Sequence, residues 1–476
     1  MTSSEALPPG PSYPRAGVAR DGLAIWGCLF VLAALMFSGV ALSRYSRDES
    51  QWIYTTRYLT LFRRADFTSP EWHNYWTQTQ PPLARYVMGL SLKAAGFDLF
   101  KVNGPWDFTR EDDENARLGN MPTQEMLFWA RLPISLFAAG AVVVLYLVGR
   151  QVAGVAGGLA AAAWLALNPR SRELMTRAES EGLFVCLLLL VLWLTFRLVS
   201  ECEWSQRRGA RWARPLLLTV TIGVLCGLAA SAKLTGLVAL VAVWLVVLCD
   251  AGVRWLGEAR FAPAVRRNAL LRRLLAALAT IVGTGSLALL TFVLLNPAIY
   301  ARPFQGPAQL LEYRQAEMQD QMALYPTAAL NTPLERLGAA ARRPIFTYGT
   351  INGLVKSVTD EDNPLGEWFP LDAMLVVTGL VATAAALARG VVHTHKSAGG
   401  KLWRYVDAVG AHHSTAPGVG PHGIALIFTA VFFGAIATSM GLDWDRYVLP
   451  LMVLSALWAG ASIGLAWRKI AGLRIV

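Results

Sequence analysis

Charged side chains are scarce in this sequence. Asp, Glu, Lys and Arg make up 16% of 476 residues and hydrophobic types 54%. That is too little polar surface for a soluble chain, so a membrane class follows before any motif is read. Cysteine is scarce too. Cys28, Cys186, Cys226 and Cys249 lie in apolar runs and Cys202 in a basic loop, which excludes a disulfide framework on an outer face. No repeat of about 20–50 residues and no low-complexity tract stands out. Acidic residues fall short of basic ones, giving a net charge of +11. The Lys and Arg gather in short loops between apolar runs, a topology signal rather than a groove for nucleic acid.

What is present is a succession of apolar runs. Residues 1–21 form a Pro- and Gly-rich tail, expected in the cytoplasm. The run from Gly22 to Ser43 is too long for a signal-peptide core and reads as a retained first span. Further runs long enough to cross lie near 126–148, 152–168, 181–199, 215–232, 234–250, 274–296, 371–388, 422–440 and 446–466. Residues 22–476 therefore read as one all-α polytopic membrane domain of about ten transmembrane helices.

Positive charge sets the sidedness. With both ends inside, the inner loops hold Arg150, Arg207, Arg208, Arg211, Arg214, the basic stretch from Arg254 to Arg273, and Arg389 to Arg404. The segment Pro81 to Phe97 could be taken as an eleventh span, but crossing there would invert every later loop. It also carries Arg85 and Lys93, costly at mid-bilayer. Leu83, Val87, Leu90 and Ala94 share one helical stripe, so the segment is expected as an amphipathic helix at the outer interface. Two long outer loops result, near 44–125 and 297–370. Trp72-His73-Asn74-Tyr75-Trp76 in the first, and Trp368 and Phe369 in the second, are expected as interface anchors.

The costly charges gather at the outer face. Asp48 and Glu49 follow the first span, Arg131 lies early in the second, Glu179 and Glu181 open the fourth, Lys233 separates the fifth and sixth, and Arg446 opens the tenth. Edge charges can simply mark helix ends and snorkel to water. Their gathering on one side suits a phosphate-bearing lipid instead. Arg and Lys neutralise a departing phosphate while a carboxylate deprotonates an attacking hydroxyl.

The chain resembles the GT-C membrane glycosyltransferases, in particular the protein O-mannosyltransferase and aminoarabinose-transferase superfamily. The resemblance rests on Arg47-Asp48-Glu49, Gln80-Pro81-Pro82-Leu83-Ala84-Arg85, Arg131-Leu132-Pro133, Asn168-Pro169, Arg177-Ala178-Glu179-Ser180-Glu181, Ala232-Lys233-Leu234-Thr235-Gly236, Asn296-Pro297 and Asp445-Arg446-Tyr447, in order along nearly the whole chain. It implies sugar transfer from a polyprenyl phosphate to a protein, lipid or glycan acceptor at the non-cytoplasmic face of a prokaryotic plasma membrane. It also implies interfacial helices in the first outer loop.

By the same resemblance Asp48 matches the catalytic aspartate and Glu49 its positioning neighbour. Arg131 and Lys233 match donor-phosphate positions, with Arg446, Arg57, Tyr58 and Arg85 as further candidates. Glu179, Glu181 and Gln80 stand as substrate-binding positions. Gln80 departs from the family, which carries His or Lys there, so no positive charge is available at that position. Inverting displacement needs one essential carboxylate.

Asp48, Glu49 and Glu179 are of the type that binds hard cations, but no spacing resembles a dedicated metal loop. A divalent cation stays open and no other cofactor is implied. The rival class is a transporter or flippase of lipid-linked sugars, which calls for pseudo-symmetric halves and midplane charges; neither is present in the sequence. A non-catalytic scaffold of the same fold is a third reading.

Overall fold

The computed structural model describes residues 15–207, 213–257, 263–358, 371–396 and 418–473. The tail before Arg15, Arg208, Arg211, Arg260, Lys401, Arg404, Trp368 and Phe369 lie outside those residues.

Helix follows helix, because long apolar stretches leave each backbone donor and acceptor to be satisfied within its own segment. The first span is α1 (Arg15–Phe37) with the short α2 (Gly39–Leu42). The first long loop folds as α3 (Arg47–Tyr54), α4 (Tyr58–Arg63), α5 (Tyr75–Thr79), α6 (Leu83–Ala94) and α7 (Asp112–Arg117). Then come α8 (Gln124–Leu167), α9 (Pro169–Thr176), α10 (Glu181–Arg207), α11 (Ala213–Ala232), α12 (Leu237–Gly257) and α13 (Pro263–Leu295). The second long loop holds α14 (Gly306–Leu324), α15 (Pro333–Arg342) and α16 (Thr350–Val358), and the chain ends with α17 (Leu371–Lys396), α18 (Pro421–Ser439) and α19 (Asp445–Leu473). Among the described residues the sole β feature is one isolated bridge, Ala329 with Leu442. It ties the second long loop to the α18–α19 connection through Leu330 N–H to Gly441 O at 2.8 Å and Asp443 N–H to Ala328 O at 2.7 Å.

Among the described residues eight helical stretches are long and apolar enough to cross a membrane. One of them, α8, has 44 residues, about 66 Å at 1.5 Å per residue and twice a bilayer core. It breaks at Gly154, where φ is 78° and ψ −175°, a backbone state that glycine alone adopts at little cost. The break gives two crossings. The shorter apolar stretch Leu371–Ala385 lies in α17, so each of the ten expected runs falls on a helix.

The central staff is α19, whose apolar stretch is 89% buried against 17% for the peripheral α13. It lies against the second half of α8 along a seam of small residues. A Cβ on Gly460 would sit 2.5 Å from Gly157 O, and one on Gly464 2.7 Å from Ala153 O. Only glycine lets these backbones touch, the packing mode used where lipid supplies no hydrophobic drive between helices.

The segment 81–97 does not cross. Its helix α6 has 12 residues, about 18 Å, well short of a bilayer core. Ala84, Arg85, Met88 and Leu92 are the buried face, while Leu83 and Val87 are half-buried and Leu90 is exposed. The apolar stripe therefore faces outward, as a helix lying at a lipid interface requires. Trp72 is not at a surface. It is fully buried, stacked on Tyr58 with ring centroids 5.3 Å apart, and its indole N–H donates to Asp66 O at 2.7 Å.

Candidate functional site

The motif Ser46-Arg47-Asp48-Glu49 is a helix-start signature, and α3 begins there. Ser46 caps the helix while the Glu49 carboxylate accepts the Ser46 backbone N–H at 3.0 Å. Glu49 is 0% exposed. It also accepts from Arg131 Nε at 2.7 Å, Arg131 Nη2 at 2.6 Å and the Ala178 N–H at 2.7 Å. Arg131, 3% exposed, spends its other donors on the carbonyls of Ser43 at 2.8 Å and Arg44 at 3.1 Å. The pair thus joins α3, α8 and the segment before α10, and its hydrogen-bonding capacity is used inside the protein. A forked, desolvated pair of this kind fixes geometry.

Successive helical residues diverge by about 100°, so Asp48 points away from Glu49. Its side chain is 35% exposed and meets Arg446 Nη1 at 2.5 Å. Arg446 opens α19, with Trp444 and Tyr447 beside it; its guanidinium carbon is 4.8 Å and 5.8 Å from their ring centroids. Lys233 stands at the break between α11 and α12, where the chain is extended (φ −155°, ψ 132°). The turn is possible because Gly236 lies directly on the Ala229 backbone, where a Cβ would overlap it. Lys233 Nζ donates to Glu181 Oε1 at 2.8 Å and lies 3.5 Å from Arg446 O. Asp48, Arg446, Lys233 and Glu181 are therefore linked.

Glu179 adds a third carboxylate. It is buried, and its Oε1 has no hydrogen-bond partner among the described residues. Burial, then the charges of Glu181 and Asp48, push its carboxyl well above the usual range, against the opposing pull of Arg446 and Arg177. Beside the two cations a cleft opens. It is small, about 30 Å³, and Lys233, Thr235, Arg446, Tyr447, Phe432 and Pro450 are among the residues that line it.

Sequence reasoning missed a second set of polar groups, because it comes from the second long loop and depends on how α14 folds back. Arg314 pairs with Glu317 and donates to the Tyr447 hydroxyl at 2.8 Å; Glu317 in turn accepts from the Tyr75 hydroxyl. Burial, then the Glu317 carboxylate, raises the Tyr75 phenol. No spacing in the sequence signals this bridge between the two long loops.

Four expected residues sit apart. Arg57 donates to Glu71 at 3.0 Å and lies over the Tyr54 ring at 4.1 Å. The Tyr58 hydroxyl donates to Asn74 Oδ1 at 2.9 Å. Arg85, fully buried, donates to the Trp76 carbonyl at 3.1 Å, the Gln80 carbonyl at 2.9 Å and Gln80 Oε1 at 3.2 Å, with the Trp52 ring 4.7 Å away. Burial lowers its guanidinium to about 10. These hydrogen bonds stay within the first long loop, so Arg57, Tyr58, Gln80 and Arg85 build that loop's core.

Of the carboxylates considered for a hard cation, Glu179 keeps an oxygen without a hydrogen-bond partner among the described residues, while the others are engaged. Arg446 holds Asp48, four N–H groups saturate Glu49, and Lys233 holds Glu181. Among the described residues no group of three or more His, Cys, Asp or Glu is placed to hold a metal ion. Chemically, the arrangement offers a solvent-reachable carboxylate beside two cations.

No family model and no curated protein matches the chain by sequence. Its fold is similar to that of the archaeal oligosaccharyltransferase AglB from Archaeoglobus fulgidus, solved with an inhibitory peptide and a dolichol-phosphate (TM-score 0.51, 12% identity, 96% of this chain and 52% of that one). The apo form of the Archaeoglobus fulgidus oligosaccharyltransferase gives a TM-score of 0.51 at 11% identity, over 95% of this chain and 51% of that one. ArnT from Cupriavidus metallidurans bound to undecaprenyl phosphate gives 0.49 at 15% identity, over 95% and 63%. The chain thus spans about half the length of the oligosaccharyltransferases. At such identities the likeness is one of fold: an all-helical integral membrane protein of GT-C type.

Proposed function

We propose that this protein transfers a sugar from a polyprenyl-phosphate donor to an acceptor hydroxyl at the non-cytoplasmic face of a prokaryotic plasma membrane, with both chain ends in the cytoplasm. The observation that carries this reading is Arg446, which touches Asp48 on one side and borders the Lys233 cleft on the other. This contact supports a reading in which a base and a phosphate-binding cation lie within one side chain's reach. The archaeal protein of similar fold was solved with a dolichol-phosphate, and Lys233 and Arg446 here offer two cations side by side for a phosphate.

In this mechanism Asp48 takes the proton from the acceptor hydroxyl as its oxygen attacks the anomeric carbon. The bond from that carbon to the phosphate oxygen breaks, and its electron pair leaves with the polyprenyl phosphate. Arg446 and Lys233 stabilise the added negative charge. One displacement inverts the anomeric centre. Glu49 and Arg131 act here as the positioning pair that aims Asp48. Glu179 and Glu181 face the sugar side, with Glu181 fixing Lys233.

The test incubates purified protein with a panel of polyprenyl-phosphate sugars and candidate acceptors, with product identification by mass spectrometry. Transfer without any ion gradient is expected, and Asp48→Asn is expected to abolish it while melting as the wild type does. Undiminished transfer by Asp48→Asn removes the base assignment. Gradient-dependent movement of the lipid without transfer favours a transporter.

A further inference from the structure

The connection between α18 and α19 brings a tryptophan to the Asp48–Arg446 pair. Trp444 stacks on Tyr447 with ring centroids 6.0 Å apart and planes at 8°, and the Arg446 guanidinium carbon lies 4.8 Å from its centroid. The same guanidinium meets Asp48. Tyr325, at the end of α14, adds a second ring, 5.6 Å from Trp444 and inclined at 67°. Neither ring is packed away: Trp444 is half-buried and Tyr325 is 45% exposed. Next in sequence to Trp444 stands Asp443, paired with Arg343, and both side chains keep about a fifth to a quarter of their surface in the open.

Inclined aromatic rings with charged hydrogen-bonding groups at their margin suit one ligand chemistry. The C–H face of a saccharide is weakly positive and stacks on the negative face of a ring, while its hydroxyls bond to carboxylate and guanidinium. An extended peptide would draw on backbone groups instead. Those nearest the rings are spent on each other, Leu330 N–H on Gly441 O and Asp443 N–H on Ala328 O. Interface anchoring accounts for rings turned to lipid. It gives no reason for one to lie against the guanidinium that holds the proposed base.

We infer that Trp444 and Tyr325 form an acceptor platform, and that the acceptor hydroxyl belongs to a saccharide. This rests on the sugar-transfer reading above and names the acceptor class within it. The stacked saccharide presents a hydroxyl toward Asp48, one guanidinium away. Trp444 and Tyr325 bind the acceptor and take no part in proton transfer.

The experiment offers the purified full-length protein three kinds of acceptor with a polyprenyl-phosphate sugar. They are neutral oligosaccharides of hexoses and pentoses, glycolipids with the same headgroups, and a Ser/Thr-rich peptide. Saturation-transfer NMR reads oligosaccharide binding without donor. Transfer to the saccharides is expected, with the peptide unmodified; the faster of the free and lipid-linked arms identifies the source. Tyr325→Ala and Trp444→Leu are each expected to raise the acceptor KM about tenfold, with the donor KM unchanged in Tyr325→Ala. Trp444→Phe keeps a ring and is expected to retain binding.

Transfer to the peptide alone overturns the acceptor class and leaves sugar transfer standing. So does wild-type protein that binds no saccharide. An acceptor KM unmoved by both Tyr325→Ala and Trp444→Leu, or a raised donor KM in its place, overturns the platform. Equal losses in Trp444→Leu and Trp444→Phe with a lowered melting temperature do the same, since they mark a ring that only supports the fold. Saccharide binding that depends on Trp444, without transfer from any polyprenyl-phosphate sugar, removes the transfer reading and keeps the platform.

Discussion

Arg446 donates to Asp48 at 2.5 Å across 398 residues of sequence. The contact joins the start of α3 to the start of α19, and so places a carboxylate from the first long loop against a cation at the end of the last span. A phosphate arriving at the two cations would share that guanidinium with Asp48, and the fork of Arg has enough donors for both.

Lysine in place of Arg446 keeps the charge but loses the fork, so it cannot serve carboxylate and phosphate together. Arg446→Lys and Arg446→Gln are both expected to lower kcat by about 10²–10³-fold, the usual cost of removing one donor from a developing anion. Steady-state kinetics with a polyprenyl-phosphate sugar decide it. A Lys variant within a factor of two of wild type would show that charge alone suffices.

The Glu49–Arg131 pair makes a different forecast. Removing one partner strands a buried charge, so Glu49→Gln and Arg131→Met are each expected to destabilise by about 3–5 kcal/mol. Combining Glu49→Leu with Arg131→Met should recover much of that loss. Melting in detergent reads the three variants. If instead these variants melt normally and only lose donor affinity, Arg131 meets the phosphate directly and the positioning role is wrong.

Glu179 couples stability to pH. Burial first, then Glu181 and Asp48, raises its folded value above the ordinary 4.5, opposed by Arg446 and Arg177. Between those two values the folded chain holds a proton that the unfolded chain has released. The contribution is therefore full below the ordinary value and is lost as pH rises through the folded one. Glu179→Gln is expected to flatten that decline and to melt higher than wild type at alkaline pH. A melting profile whose slope is the same in both proteins rules this out.

Gly236→Ala tests the turn that carries Lys233. A Cβ there overlaps the Ala229 backbone, so the turn must open and Lys233 must move. Lower melting and a loss of transfer at least as large as that of Lys233→Ala are expected. Wild-type behaviour would mean the turn yields without disturbing the site.

Ten apolar runs were enough to draw the membrane fold, because hydrocarbon thickness imposes a length that composition reports directly. Asp48, Glu179, Glu181, Lys233 and Arg446 were legible for a related reason: each is a charge at the edge of an apolar run, where burial is costly. What sequence could not reveal is which cation each carboxylate meets. Arg131 reads as a phosphate ligand on position alone, yet in the folded chain it is engaged by Glu49 from 82 residues away. Arg85 and Gln80 read as ligands on position, and in the folded chain Arg85 donates to Gln80. The face of α6 was ambiguous because an interfacial helix has two apolar-tolerant sides, one toward lipid and one toward protein. Arg314 was silent, since an arginine in a polar helix is ordinary until its neighbours are known.

The seam between α8 and α19 works as a gauge for the distant site. Gly460 lies about 21 Å along the helix from Arg446, at 1.5 Å per residue, and on a rod of that length a small wedge at one end becomes a large swing at the other. An extra methyl at Gly460 would meet Gly157 and pry the two rods apart. The separation of Arg446 from Asp48 would change without any residue near either being touched. The spacing of Arg446 and Asp48 is thus set inside the helix bundle, by the absence of side chains.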